Sequence, residues 1–464
     1  MSNVGSAAGG YRVENPATGE VVEKFDNATD AQIEEILDAA HKGFLSWREK
    51  TIEERAAVVN KVAAAFGERK EELAKIIAEE MGKPVAEGIE EAEFCEAIFN
   101  YYADNGPEFA KDEPIKSMSG GKAFIQRRPV GPLLGIMPWN FPYYQVARFA
   151  APNLVLGNTI ILKHAEICPR SSAVIADIMK DAGIPDGVYN NVYATHEQIE
   201  TIIADDRVEG VSLTGSERAG SAVAATAGKN LKKAVLELGG SDPYIVLDTD
   251  NMEEAVDTAW GTRLYNTGQV CNANKRMIVM DDIYDDFVSG LTKRAQDWTK
   301  GTPAEAGDGK YSPLSSRGAA ENLRKQLDRA VEQGANLVGG ELATDGSAYV
   351  SPAVLTGITS DMDAYREELF GPVATVYKVS SDEEALKLAN DTRFGLGGAV
   401  FSKDEERAAK LAQRLDVGMS NVNTPGGEGA EIPFGGTKRS GFGRELGPYG
   451  MDEFVNKRMY YVAD

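Results

Sequence analysis

The chain has 464 residues, 42% hydrophobic and 26% charged, with 72 acidic against 49 basic side chains and a formal charge of −23. One hydrophobic core stops growing at roughly 250–300 residues, so this length calls for two or more domains, and the composition is that of a folded globular protein. So negative a field repels phosphate backbones and anionic lipid heads, which argues against nucleic-acid and membrane-surface partners; it also suits solubility in concentrated salt, as in the acidic proteome of a halophile.

The opening MSNVGSAAGGYR lacks a basic region followed by an apolar stretch, and nowhere do 18 consecutive apolar residues occur, so neither export nor membrane spanning is expected and the first ten residues read as a loose tail. Residues 29–105 read as successive amphipathic helices, opened by the capping boxes Thr29-x-x-Gln32 and Thr51-x-x-Glu54 and broken near Gly82 and Pro84. KAFIQRRPVG then alternates like an exposed strand, and LLGIMP, NTIILK, VEGVSL and KAVLEL follow with helical runs between them. A second set comprises PYIVL, RMIVM, PAVLT, PVATVYKV, GGAVFS and GMSNVN. Short apolar strands alternating with helices predict βαβ units, hence two α/β domains with parallel sheets that meet near Ser241.

Three cysteines, Cys95, Cys168 and Cys271, are too few and too scattered for a disulfide framework or a zinc site, and His41, His164 and His196 show no ligand spacing. No metal is expected, and a reducing cytoplasm fits. Cys95 and Cys168 lie in ordinary helix and loop contexts, whereas Cys271 sits in the polar stretch NTGQVCNANKR, which argues against an inert core thiol.

Three further stretches carry candidate chemistry. VSLTGSERAGSAVA puts Gly215, Ser216 and Gly220 at a strand-to-helix turn, where backbone N–H groups can approach a pyrophosphate; a plain tight turn is the alternative. ELGGSDP puts Glu237 at a strand end, either as a general base facing a cleft or as a solvated cap. PWNFP fixes Asn140 between prolines, which suits an amide aimed at an oxyanion or simply a rigid turn. His164, at a strand end beside Lys163, is assigned no chemistry.

In order along the chain, PWNFP, NTIILKHAE, LTGSERAG, ELGG, NTGQVC, EELFGPV and PFGGTKRSGFGRE resemble the aldehyde dehydrogenase superfamily from about Tyr11 to Met459. Glu237 stands thirty-four residues before Cys271, and Asn140 twenty-three before Lys163, as in that family. The resemblance implies two Rossmann-like domains and a small bridging element: a cofactor-binding domain at 1–120 and 136–240, a catalytic domain at 241–432, and a bridging, oligomer-forming element at 121–135 and 433–464. It further implies Cys271 as nucleophile, Asn140 as oxyanion donor and Glu237 as the base that hydrolyses a thioester. Lys163 and Glu166 are expected at the adenosine ribose, Gly215, Ser216 and Gly220 at the pyrophosphate, Glu368 at the nicotinamide ribose, and Phe370 with Trp139 along the nicotinamide.

A carboxylate at Glu166 repels a 2′-phosphate, so NAD is expected, with NADP possible because Lys163 pulls the other way. FPYYQVARFAAPNLVLGNTIILKHAE, with His164 where proline is common, resembles a succinate-semialdehyde dehydrogenase subgroup. In that reading Arg148 takes the substrate's distal carboxylate, with Tyr265 and Asn423 as neutral donors; Tyr265 stands where some members carry an arginine. Alternatives are a broader or different aliphatic aldehyde, a reductase of acyl phosphates or thioesters, which has no use for Glu237, and a non-catalytic protein that keeps the fold. A homodimer or homotetramer is expected.

Overall fold

A computed structural model describes residues 10–118, 120–427 and 429–464; apart from Gly10, the expected N-terminal tail lies outside the described residues. The helical lead-in forms as the caps dictate. Thr29 and Thr51 each accept from the third residue of their helix while Gln32 and Glu54 reach back, opening the helices Asp30–Trp47 and Ile52–Glu68. Lys70–Met81 ends at Gly82 in the left-handed conformation, and the long helix Val85–Phe109 starts after Pro84.

Two sheets organise the rest. The first has six strands in the order Gly441–Phe442, Lys233–Glu237, Gly210–Thr214, Pro132–Met137, Thr159–His164 and Tyr189–Asn191, all parallel except the two-residue edge strand. The chain runs outward on one side of Pro132–Met137 and then on the other. The crevice at that reversal opens where Trp139, Asn140 and Gly215 follow their strands, the place where open α/β sheets receive ligands. The second sheet has seven strands in the order Asn336–Gly339, Ala353–Thr356, Val373–Val379, Arg276–Met280, Pro243–Val246, Gly397–Phe401 and Met419–Val422, parallel except for Asn336–Gly339. This is the expected α/β class.

Only residues 238–242 separate the last long strand of the first sheet from Pro243–Val246, so Glu237 ends one sheet while the next begins six residues on. A third, antiparallel sheet joins Val455–Val462, Lys122–Pro129 and Glu113–Ile115. Among the described residues, no helix is long and apolar enough to cross a membrane.

Arg263, fully buried near the end of helix Met252–Leu264, ties the second domain together beneath the site. It donates to Val373 O at 2.7 Å, Leu369 O at 2.8 Å and Gly268 O at 3.1 Å. No aliphatic side chain can satisfy three buried carbonyls. Arg263→Met is therefore expected to lower stability by about 3 kcal/mol or more, read as a fall in the urea midpoint; an unchanged midpoint contradicts this account.

Candidate active site

The turn that delivers Cys271 is held in a conformation its residues do not favour. Asn266 and Thr267 have φ of 49° and 52°, tolerable for asparagine and costly for a β-branched threonine. Glu87 accepts from the Asn266 N–H at 2.7 Å, and the Asn266 amide donates to Asn140 O at 2.8 Å. Asn140 Nδ2 in turn donates to Gln269 O at 3.1 Å, two residues before the thiol, which leaves its second N–H for another acceptor.

PWNFP is braced from two sides. Glu91 accepts from the N–H groups of Tyr143 and Tyr144 at 2.8 and 3.0 Å while pairing with the buried Lys83. His164 accepts from Ala165 N at Nδ1, so the proton is on Nε2, which donates to Pro142 O at 2.9 Å. Burial pushes this imidazole down to about 4, so it is a neutral brace.

Glu237, whose charge reaches Cys271, is 2% exposed, with no hydrogen-bond partner on either carboxylate oxygen. Burial pushes its carboxyl well above the usual range; Arg148 opposes the shift and Glu445 adds to it. Burial likewise pushes the Cys271 thiol up to about 11, against Arg148 and Lys275, with Asp242 and Glu237 raising it further. Two glycines make room here. A Cβ at Gly240 would be driven against Cys271 O, and at Gly435, where φ is +151°, it would meet Glu237 Oε1 at 2.7 Å.

Cys271 opens on a cavity of about 830 Å³ walled by Phe94, Phe141, Tyr144, Tyr265 and Phe434, among others. Arg148 is not on that wall. It is fully buried, ion-paired with Glu445, and stacked 4.3 Å from the Phe434 ring, and it donates to Tyr144 Oη at 3.3 Å. Burial depresses the Arg148 guanidinium, but Glu445, Tyr144, Glu237 and Cys271 more than compensate, so it stays charged. Tyr265 does reach the cavity, where its hydroxyl donates to Glu90 at 3.3 Å. Asn423 faces a separate cavity beside Asp248 and Lys403, and its Oδ1 accepts from Ser402 N at 2.9 Å. Its φ of 54° fixes that orientation.

Outside the lining of the Cys271 cavity, Trp139 and Phe370 meet edge to face, 5.8 Å between centroids. Glu368, half-buried, accepts from Gly240 N at 3.1 Å. Gly215 and Ser216 form the mouth of helix Glu217–Lys229, where Ser216 caps Ala219 N at 3.3 Å. Gly220 lies inside that helix and packs on Leu238 rather than at its mouth. Glu217 in the first turn would repel a phosphate, but Arg393 and Arg439 pair with it and return positive charge to the helix end. Lys163, its pKa lowered by burial against the pull of Glu166, lies 3.9 Å from that carboxylate, and His196 is 4.0 Å from it on the other side.

An aromatic pair, a carboxylate, an open helix N-terminus and a lysine–glutamate pair along one crevice suit the nicotinamide, ribose, phosphates and adenosine of a dinucleotide. Among the described residues, no group of three or more His, Cys, Asp or Glu could hold a metal.

Sequence reasoning passed over Glu445, Glu87, Glu91, Lys83 and Lys275. A buried arginine requires a carboxylate, which is the one signal that could have drawn attention to Glu445 in SGFGRE.

Scaffold and site together define a dinucleotide-linked enzyme class. The chain belongs to the aldehyde dehydrogenase family, whose profile matches residues 4–460. It is 48% identical over 450 residues to the succinate-semialdehyde dehydrogenase [NADP(+)] of Deinococcus radiodurans, covering 97% of this chain and 94% of that one. To the succinate semialdehyde dehydrogenase [NAD(P)+] Sad of Escherichia coli it is 41% identical, over 95% of this chain and 96% of the other. The crystal structure of succinic semialdehyde dehydrogenase from Streptococcus pyogenes in complex with NADP+ superposes with a TM-score of 0.95 at 41% identity, over 98% of this chain and 100% of that one.

With the thiol at about 11, the thiolate fraction grows as pH rises toward that value. Inactivation of the cofactor-free protein by iodoacetamide is expected to speed up about tenfold per pH unit from neutrality to about pH 10. A rate that is flat across this range would mean a preformed thiolate.

Proposed function

We propose that this chain is a cytoplasmic NAD(P)-dependent aldehyde dehydrogenase that converts succinate semialdehyde to succinate through a thioester on Cys271. The observation that carries the reading is a thiol facing an aromatic-walled cavity, with Asn140 tied to its turn and the unpaired carboxyl of Glu237 close enough to act on the thiol. The Cys271 thiol gives up its proton to water, and the thiolate attacks the aldehyde carbon, forming a C–S bond and placing the carbonyl electron pair on oxygen. The second N–H of the Asn140 amide and the Cys271 N–H hold that oxyanion. Trp139, Phe370, Glu368, Gly215, Ser216, Lys163 and Glu166 would hold NAD(P)+, which would supply the acceptor for the hydride that leaves the carbon as the oxyanion re-forms its C=O bond, so that a thioester remains on Cys271. Gly220 supports this site through helix packing. Glu237 then takes a proton from water, the hydroxide attacks the thioester carbon, and Cys271 departs as thiolate. A raised pKa fits that task, because a weakly acidic carboxyl is a stronger base once ionised, and Arg148 favours its ionisation. Acyl-phosphate or thioester reduction would have no use for this group.

The identity to relatives named for succinate semialdehyde supports that substrate. Its distal carboxylate would meet Tyr144, whose hydroxyl is polarised by the Arg148 guanidinium behind it, so the arginine acts through a neutral donor instead of by direct pairing. One observation favours a second reading, an uncharged aldehyde: among the described residues lining the cavity, the charged ones are Glu90 and Glu91. The strand Val455–Val462 exposes Met459, Tyr460, Tyr461 and Val462 at a sheet edge, which supports a homodimer or homotetramer.

NADH or NADPH formation at 340 nm over a panel of aldehydes tests the substrate. Succinate semialdehyde is expected to exceed butanal in kcat/KM by about tenfold or more, and a preference for butanal would establish the second reading. Arg148→Met is expected to lower kcat for both aldehydes alike, since it strips Glu445 and Glu237 of their counter-charge.

Cofactor choice rests on Glu166, partly offset by Lys163 and His196. NAD is expected to be preferred with NADP accepted, and Glu166→Ala should raise the NADP-to-NAD ratio of kcat/KM about tenfold. An unchanged ratio would remove Glu166 from cofactor selection.

A further inference from the structure

Lys275 has no part in the chemistry so far, yet its side chain touches both halves of the site. Only 2% exposed, it spends its three ammonium hydrogens on three acceptors: Val270 O at 2.7 Å, Cys271 O at 2.6 Å and Glu368 Oε1 at 3.1 Å. The first two are consecutive carbonyls of the nucleophile turn. The third belongs to the carboxylate proposed for the nicotinamide ribose, whose same oxygen also accepts from Gly240 N, in the short crossing between the two sheets. The stem of Lys275 runs past Phe370, with the ammonium 5.5 Å from the ring centre. The thiol, the aromatic wall and the ribose carboxylate therefore share one cation.

We propose that Lys275 is a positioning residue that couples occupancy of the dinucleotide crevice to the reactivity of Cys271. This rests on the assignment of Cys271 as nucleophile and Glu368 as ribose ligand. With the crevice empty, Glu368 draws on the ammonium and shares its charge. A ribose hydroxyl that donates to Glu368 disperses that carboxylate's charge, and more of the Lys275 field then falls on the sulfur. Arg148, Asp242, Glu237 and Tyr144 also act on the thiol, and Asp242 feels the Glu368 charge as well, but it is Lys275 that contacts both Glu368 and the carbonyls of the nucleophile turn. The coupling makes functional sense. A thiol that stays protonated until the hydride acceptor is in place does not capture aldehyde in a complex that cannot proceed.

The test follows alkylation by iodoacetamide against pH, with and without saturating NAD+, and reads the apparent pKa of the labelled thiol, which shielding of the sulfur by the cofactor does not move. In the parent, NAD+ is expected to lower that pKa enough to raise the thiolate fraction about threefold or more at fixed pH. In Lys275→Met the pKa should be higher without cofactor, and the shift on adding NAD+ should vanish. Glu368→Gln, which keeps both carbonyl bonds of Lys275 and removes only its charged partner, should also abolish the shift and guards against simple collapse of the turn in the methionine variant. A shift of parental size in either variant overturns the coupling. Peptide mapping separates this from failure of the underlying reading: label on Cys95 or Cys168 in place of Cys271 would sink both, whereas label on Cys271 with an unaltered shift sinks only Lys275.

Discussion

Two carboxylates one turn apart on helix Val85–Phe109 hold the two loops whose meeting makes this site. Glu87 receives the N–H of Asn266, and Glu91 receives those of Tyr143 and Tyr144. Without Glu87, the left-handed pair Asn266 and Thr267 has little reason to persist, since nothing in a threonine favours positive φ. Burying these acids is costly. Glu87 is pushed up to about 8 by burial against the pull of Lys83, and Glu91 is tolerated because Lys83, itself stacked 3.6 Å from the Phe141 ring, neutralises it. A buried ion pair of this kind contributes little net stability compared with an apolar pair of the same volume. What it supplies is orientation: replacing it with leucines would leave two loops with no fixed approach to each other.

The same logic governs the cluster beneath the thiol. Arg148 lies among Glu445, Glu237, Tyr144 and Cys271, and a charge there is supportable only because Glu445 pairs with it. That pairing removes Arg148 from the cavity wall and decides its chemistry. Its field favours the ionised forms of both Cys271 and Glu237, so one buried cation would assist both the proposed nucleophile and the proposed base. A lysine at this position would have fewer donors to divide between Glu445, Tyr144 and Thr214.

Much of the fold could be read from the chain because its strands are short apolar runs bounded by turns, and each run named in the sequence lies on or overlaps a strand. The hairpin Tyr11–Asn15 with Glu20–Phe25 could not, because EVVEKF is charged and almost wholly exposed and carries no alternation. Nor could Gly441–Phe442, a strand of two residues that exists only because Glu237 and Leu236 offer it an edge. At the site the legibility divides differently. Cys271, Asn140 and Glu237 stand in runs rich in glycine, proline and amide that no core would need. Their supports, Glu87, Glu91 and Lys83, sit in an ordinary helical pattern, where one face of acids looks like solvated surface until the loops that pack on it are known. Arg148 invites direct pairing with a substrate because a sequence displays its charge and hides Glu445, almost three hundred residues away.

The overall charge of −23 sets a final constraint on how such a site can work. A semialdehyde acid and a dinucleotide are both anionic, and a field of this sign opposes their approach. Salt shortens the reach of that field to about 8 Å at physiological ionic strength and to about 3 Å in molar salt, so binding is governed by the charges within one contact distance of the ligand. On the cavity wall those charges are Glu90 and Glu91, whereas cations lie around the proposed dinucleotide crevice and behind the cavity: Arg393 and Arg439 beside helix Glu217–Lys229, with Lys163, Lys275 and Arg148. Each cation is paired with a carboxylate, which lets it reside in an acidic protein without unbalanced burial and leaves its charge partly free when a ligand takes over that carboxylate. These cations near the site are tolerated because they come as pairs, whereas Arg263 rests on backbone carbonyls, and the pairing is what makes their strength responsive to what is bound.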